Sequence, residues 1–383
     1  MYTEEEIKYI IQKGENNSVE FKEAEVRPES IAKEIVGFAN SQGGMILIGV
    51  TDDGELKGIS KQKNYDEFLA NILRNNVVPP IECSLEIVSV NKKNIAVIEI
   101  NKGADKPYQT NDGKFLLRIG STIRSASQGE LLRMFQQAGI FHFDLTPVRN
   151  TSVSDLNMFK VDRHFEKYDI SLTSEPDEEK INILKNADIL TEKGELTIAG
   201  ALIFGINPPK YLPQSGISYA RFNGDEITSE LIDKKEINGN LENVVDEAVS
   251  VVYNQIPQAS DIIDTKRVDK YPSWSKRAFR EVIANACIHR NYSIAGSKIR
   301  IFRFNDRIEF ISPGKLPNSV TVDKLKIGVS FAVNPVIVKF MENMGYIDKL
   351  GRGIPLVVKE AKAINKSLHL KEIGEEFKVT LEL

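Results

Sequence analysis

A multidomain protein of mixed α+β class is what this sequence predicts, and three observations carry the prediction. At 383 residues the chain exceeds the ~250–300 residues at which a single core stops growing, so two or three domains are expected. Short apolar runs such as "MILIGV" alternate with segments of helical period along the whole length. The composition, 41% hydrophobic and 27% charged, is that of a globular protein.

The elements follow in order. Residues 3–12 read as a helix capped by Thr3, with Glu6 completing a capping box. "SVEFKEA" is a strand. "RPESIAKEIVGFANSQGG" is a helix with Ser30 as its expected cap and Gly43-Gly44 as its end. "MILIGV" is a buried strand and "TDDG" a turn. "YDEFLANILRNNV" is a helix, "CSLEIVSVNKKNIAVIEI" a hairpin turning at Asn91 to Asn94, and "KFLLRIGSTIRSAS" a second strand pair. "SQGELLRMFQQAG" closes a first domain, expected at 1–145. Asn150 to Pro176 reads as a polar connection. Helix, short hairpin and helix follow, a small winged-helix-like arrangement within a middle segment at 146–258. The helix "SWSKRAFREVIANACIHRNYS", two strands around Asn305-Asp306, two more helices and the strand "EFKVTLEL" make a third segment, 259–383.

Several classes are excluded by composition. The two cysteines, Cys83 and Cys287, have no metal-ligand spacing and suit a reducing compartment. No apolar run approaches the ~20 residues that span a bilayer, and the acidic N-terminus is no signal peptide, so a cytoplasmic protein without a membrane partner is expected. Charge is uneven. Residues 1–150 carry 18 basic and 21 acidic residues, 151–265 carry 10 and 21, and 266–352 carry 17 and 7. The basic block favours an anionic partner or the acidic middle segment.

In "REVIANACIHRNY", Glu281, Asn285 and His289 recur every four residues and share one helix face. A carboxylate beside a carboxamide is what a magnesium–nucleotide site needs: the amide oxygen is a hard metal ligand and the carboxylate orients or deprotonates water. "FISPGKLP" ends a strand in a Pro-Gly turn. "KLGRGIPLV" places Gly351, Arg352 and Gly353 before a helix, where free N–H groups favour phosphate. "AFREVIANACIHRNY", "RIEFISPGKLP" and "DKLGRGIPLV" together resemble the divergent GHKL-type ATP-binding domain of proteins related to the C-terminal part of the helicase RecG, over residues 260–383. The resemblance implies a GHKL-like α/β sandwich, ATP or ADP with Mg2+, Glu281 as general base, Asn285 as magnesium ligand, and nucleotide contacts from His289, Gly314, Gly351, Arg352 and Gly353. Ser312 stands where that family has an adenine-reading Asp. No Walker motif is present, which excludes a helicase motor.

"SVEFKEA", "GFANSQGGMILIGVTDDG" and "LLRIGSTIRSAS" resemble the Schlafen-type Alba-like (AlbA_2) domain over residues 10–135. Proteins joining the two domains are described as DNA-binding or transcriptional regulators. Lys22, Lys114, Arg118 and Arg124 are the expected phosphate contacts. The resemblance also implies a second chemistry: Glu15, Glu20 and Asp52 match a metal-dependent nuclease triad holding Mg2+ or Mn2+.

Three readings result. The first is a DNA- or RNA-binding protein, regulator or defence-type sensor, whose GHKL-like domain responds to nucleotide. The second is a nuclease using Glu15, Glu20 and Asp52. The third is an interaction module with a degenerate GHKL domain. A homodimer is expected from the resemblance.

Overall fold

Thr3 starts the fold as expected. Its hydroxyl accepts from the Glu6 amide at 3.2 Å and its own amide donates to the Glu6 carboxylate at 2.8 Å, capping α1 (Glu4–Lys13). β1 (Val19–Lys22) and α2 (Pro28–Asn40) follow. Ser30 does not cap α2. Pro28 takes the first helical turn, and Arg27, extended ahead of the proline, stands at the cap. Next come β2 (Gly44–Ile48), α3 (Tyr65–Asn75), β3 (Val77–Val78), β4 (Cys83–Val90) and β5 (Lys93–Ile100). Asn91 and Lys92, both at positive φ, make the turn between β4 and β5. β6 (Gln109–Thr110), β7 (Leu116–Ile119), β8 (Thr122–Ser125) and α4 (Gln128–Gln137) complete the first part.

The structure, a computed structural model, describes residues 2–60, 62–256, 260–263, 266–269, 273–348 and 350–383. The chain divides into two units, Met1–Ile140 and Phe141–Leu383.

In the first unit a four-stranded sheet runs β1-β2-β5-β4, with β1 and β2 parallel and the other pairs antiparallel. Both faces are covered, which is why β2 and β5 read as continuous apolar runs. Ile46, Ile48, Ala96 and Ile98 pack with α2 and α3 residues such as Ile35, Phe38 and Leu69. Leu47, Ile95 and Val97 point the other way, toward Ile7 of α1. Each such fully buried side chain contributes about 1.5–3 kcal/mol.

The second unit begins with α5 (Met158–Phe165), α6 (Asp177–Asn186), α7 (Ile198–Phe204) and α8 (Pro208–Tyr211). The expected helix, hairpin and helix appear as α6, the Leu190–Leu196 bridge and α7. The stretch from Asn150 to Pro176, expected as a polar connection, is part of the core instead. Leu156, Val161, Phe165 and Leu172 are spread too thinly for a periodic signal, yet all four are buried. β9 (Ile217–Asn223), β10 (Glu230–Ile237), α9 (Leu241–Asn254), β11 (Ser260–Ile263), β12 (Lys266–Asp269) and α10 (Lys276–Ile288) follow. Then come β13 (Ile299–Arg303), β14 (Arg307–Pro313), α11 (Val322–Lys326), α12 (Pro335–Asn343), α13 (Gly353–Ala363), β15 (Leu368–Ile373) and β16 (Glu376–Glu382).

The expected boundary at 258/259 lies outside the described residues. Strands from both sides of it enter one six-stranded sheet, β10-β9-β13-β14-β16-β15. β9 pairs with β13 in parallel, and one hydrophobic core runs from Val148 to Leu381. Among the described residues no helix is long and apolar enough to cross a membrane, and both cysteines are free.

Candidate functional site

Ser275 sets the phase of α10 by capping it: its hydroxyl accepts from the Ala278 amide at 3.1 Å and donates to Glu360 of α13 at 2.8 Å. Phe279, Val282 and Ile283 are then buried in the core. Glu281, Asn285 and His289 line a cavity of about 310 Å³ together with Ser312, Gly314, Asp348 and the start of α13. Val282, Ala286, Phe310, Val338, Phe377 and Val379 give the cavity an apolar wall.

Asn285 Nδ2 donates to the Glu281 carbonyl at 2.6 Å, which leaves the amide oxygen as its ligand atom. Burial raises the Glu281 carboxyl, against Arg277 and Arg280, and Asp348 raises it further. Burial presses His289 down to about 4, so it is neutral near pH 7. Ser312 Oγ donates to the Ala286 carbonyl at 2.9 Å, so its proton is committed while its lone pairs can still accept.

The three glycines are explained by close packing inside the protein. A Cβ on Gly314 (φ +128) would lie 3.0 Å from Asn291 Cβ, and one on Gly351 (φ +69) 2.0 Å from the Gly328 carbonyl. A Cβ on Gly353 would lie 2.6 Å from Glu281 Oε2 and 3.3 Å from Asn285 Nδ2. The Glu281 carboxylate therefore sits against the first residue of α13, a helix whose start has no side-chain cap. A negative charge is favoured there.

In the first unit a buried ionic cluster surrounds Arg118. Its Nη1 lies 2.8 Å from Glu20 Oε2 and 3.1 Å from Glu34 Oε2. Nε and Nη2 donate to the Asn16 carbonyl at 3.0 and 2.8 Å, and Nη2 also to the Val19 carbonyl at 2.8 Å. The guanidinium lies over the Phe38 ring, 4.4 Å from its centroid. Lys22 pairs with Glu20 and reaches Glu34 at 3.7 Å. Glu15 Oε1 accepts the Phe21 amide at 2.9 Å.

Comparison with known proteins fits both units. Residues 15–127 match the family described as "Schlafen, AlbA_2", and residues 296–381 match the one described as "Putative ATP-dependent DNA helicase recG C-terminal". The chain joins a Schlafen AlbA_2 domain to a RecG C-terminal-type domain. The second match begins after α10, so Glu281, Asn285 and His289 lie outside it, while Gly314, Gly351, Arg352 and Gly353 lie within it. Among solved structures, the DIP2311 protein from Corynebacterium diphtheriae is 19% identical with a TM-score of 0.48, covering 96% of this chain and 75% of its own. The N-terminal domain of a RecG-related protein from Nitrosomonas europaea is 16% identical with a TM-score of 0.26, covering 33% of this chain and 94% of its own. No protein of curated function matches.

Within the AlbA_2 domain the three carboxylates of the expected metal triad lie within electrostatic reach of one another: burial raises the Glu15 carboxyl, against the Phe21 amide, and Glu20 and Asp52 raise it further. Among the described residues no group of three His, Cys, Asp or Glu side chains is placed to hold a metal ion. Glu20 is taken up by Arg118 and Lys22, Glu15 by a backbone amide, and Asp52 is exposed in the turn after β2. Arg118, expected at phosphate, has a side chain only 1% exposed and serves the fold. Lys22 is largely buried in the same cluster. Lys114 and Arg124 are exposed, but Lys114 already pairs with Asp112 at 2.6 Å and Arg124 with Glu130 at 2.7 Å.

Glu34 is the residue that the sequence did not single out. Burial, then Glu20, raises its carboxyl to about 7. A folded-state value above the ordinary 4.5 means that the folded domain prefers the protonated form. Its contribution is complete below the unfolded value and is lost as pH rises through about 7. Urea midpoints of the AlbA_2 domain should therefore fall between about pH 5 and about pH 8 in the wild type, and the fall should be smaller in Glu34→Gln. Equal slopes in the two proteins would contradict the assignment.

In the second unit the expected residues do converge on one cavity. Arg352 is the exception, since its guanidinium is held by Asp348 outside the cavity lining. Asp348 itself lines the cavity. Its spacing of four residues before Arg352 was the available sequence signal.

Proposed function

We propose that the RecG C-terminal-type domain binds a purine nucleotide with magnesium, and that nucleotide occupancy tunes nucleic-acid binding by the AlbA_2 domain, as in a regulator or defence-type sensor. The observation that carries this reading is the meeting of Glu281, Asn285 and the uncapped start of α13 on one cavity. Free N–H groups at a helix start favour phosphoryl oxygens. The Asn285 amide oxygen and the Glu281 carboxylate are hard ligands, and magnesium takes only one or two protein carboxylates beside water and phosphate. When bound, magnesium supplies charge neutralisation for the phosphates. Glu281, raised by its burial, is placed to hold or accept a water proton. The apolar wall suits a flat base, and Ser312 offers it an acceptor weaker than a carboxylate, so discrimination between purines should be modest.

On the AlbA_2 side, Lys114 and Arg124 already hold carboxylates, so phosphates must compete for them. Filter binding of DNA and RNA to the full chain at low salt, with and without ATP and magnesium, tests the reading. Retention is expected, with a log–log salt slope no steeper than about −2 and an affinity that changes several-fold with nucleotide. No retention of either nucleic acid, or retention indifferent to nucleotide, would overturn it.

A further inference from the structure

β9 and β13 run parallel, and their register makes Arg221 and Arg303 direct Cα partners. Adjacent strands lie about 4.8 Å apart, so two guanidinium stems rise side by side from one face of the sheet. Tyr219, two residues before Arg221, shares that face. Arg303 is 6% exposed and Tyr219 2%.

The donors of this trio are poorly used. Arg221 Nη1 donates to Gln255 and Arg303 Nη1 to the Phe304 carbonyl. Arg221 Nε, Arg303 Nε and the Tyr219 hydroxyl are buried without a hydrogen-bond partner among the described residues. No described ion pair includes either arginine. Asp233, the strand partner of Arg221, makes no described ion pair with it, and Asp306 is taken by Arg307 at 2.9 Å. Burial and the neighbouring Arg221 both press Arg303 below the usual guanidinium range. Two like charges at adjacent positions, one nine-tenths buried and neither in a described ion pair, with Asp306 acting on Arg303 only at a distance, are unfavourable unless an anion joins them.

We propose that Arg221, Arg303 and Tyr219 form a binding site for a small phosphorylated anion, with inorganic phosphate as its simplest occupant. Two planar guanidinium forks and a phenol hydroxyl match the several acceptors of a phosphoryl group. The depth of Arg303 selects a free or terminal phosphoryl group over the diester backbone of a nucleic acid. The site is separate from the cavity at Glu281, since none of the three residues lines that cavity.

The test uses the full chain in phosphate-free buffer, with thermal unfolding and calorimetric titration of inorganic phosphate against sodium chloride at matched ionic strength. Phosphate should raise the melting temperature saturably, chloride should not, and R303M and R221M should each weaken phosphate binding at least tenfold, with Y219F weakening it less. Without phosphate, R303M should unfold at or above the wild-type temperature, because it removes an uncompensated buried charge. A short DNA oligonucleotide without terminal phosphate should not compete. Phosphate binding that survives R303M, R303M unfolding below the wild type without phosphate, or displacement by that oligonucleotide would each overturn the proposal.

Discussion

Arg118→Ala is expected to destabilise the AlbA_2 domain by about 3–5 kcal/mol, the cost of leaving buried charges without their partner. The substitution strips Glu20 and Glu34 of the guanidinium between them. It also removes the donors to the Asn16 and Val19 carbonyls, which tie the turn before β1 to β7. Arg118→Lys keeps the charge but loses the planar fork, so most of the loss should remain. Hydrogen exchange in the full chain reads this directly. Amides of β2 and β5 should lose protection while those of β13 and β14 keep theirs. Unchanged protection in β2 would refute a structural role for Arg118.

Glu281→Gln should act on the second unit in two opposed ways. In the wild type the Glu281 carboxylate lies against the first residue of α13, where the phosphate of a nucleotide would also be drawn. Two anions at one helix start repel unless a cation stands between them. The neutral variant should therefore bind ATP in the absence of magnesium about tenfold more tightly than the wild type, about 1.4 kcal/mol. Any ATP turnover shown by the wild type should fall about 100-fold or more with loss of the base. Binding weakened equally with and without magnesium would show that Glu281 is only a wall of the cavity.

Much of this was legible in the sequence, for physical reasons that differ between elements. The helix face carrying Glu281, Asn285 and His289 follows from four-residue spacing alone, and the hairpin at Asn91-Lys92 from its turn residues. Arg118 was misjudged because strand alternation shows which face a side chain takes and not what covers that face. Its partners Glu20 and Glu34 are distant in sequence, and Glu34 sits in α2 among residues that read as an ordinary polar stripe. The glycines at 314 and 351 were expected as nucleotide contacts, and both line the cavity. Their need for glycine comes from Asn291 and Gly328, neighbours that only the fold supplies. Similarly, Leu156, Val161 and Phe165 join the second core without any regular period.

The central claim is that Glu281, Asn285 and the start of α13 form a magnesium–nucleotide site. Calorimetric titration of ATP into the full chain, with and without magnesium, alongside Asn285→Ala, tests it most directly. The account predicts saturable binding that strengthens with magnesium in the wild type and loses that magnesium dependence in Asn285→Ala. Absence of ATP binding in the wild type, or a magnesium effect of the same size in Asn285→Ala, would contradict it.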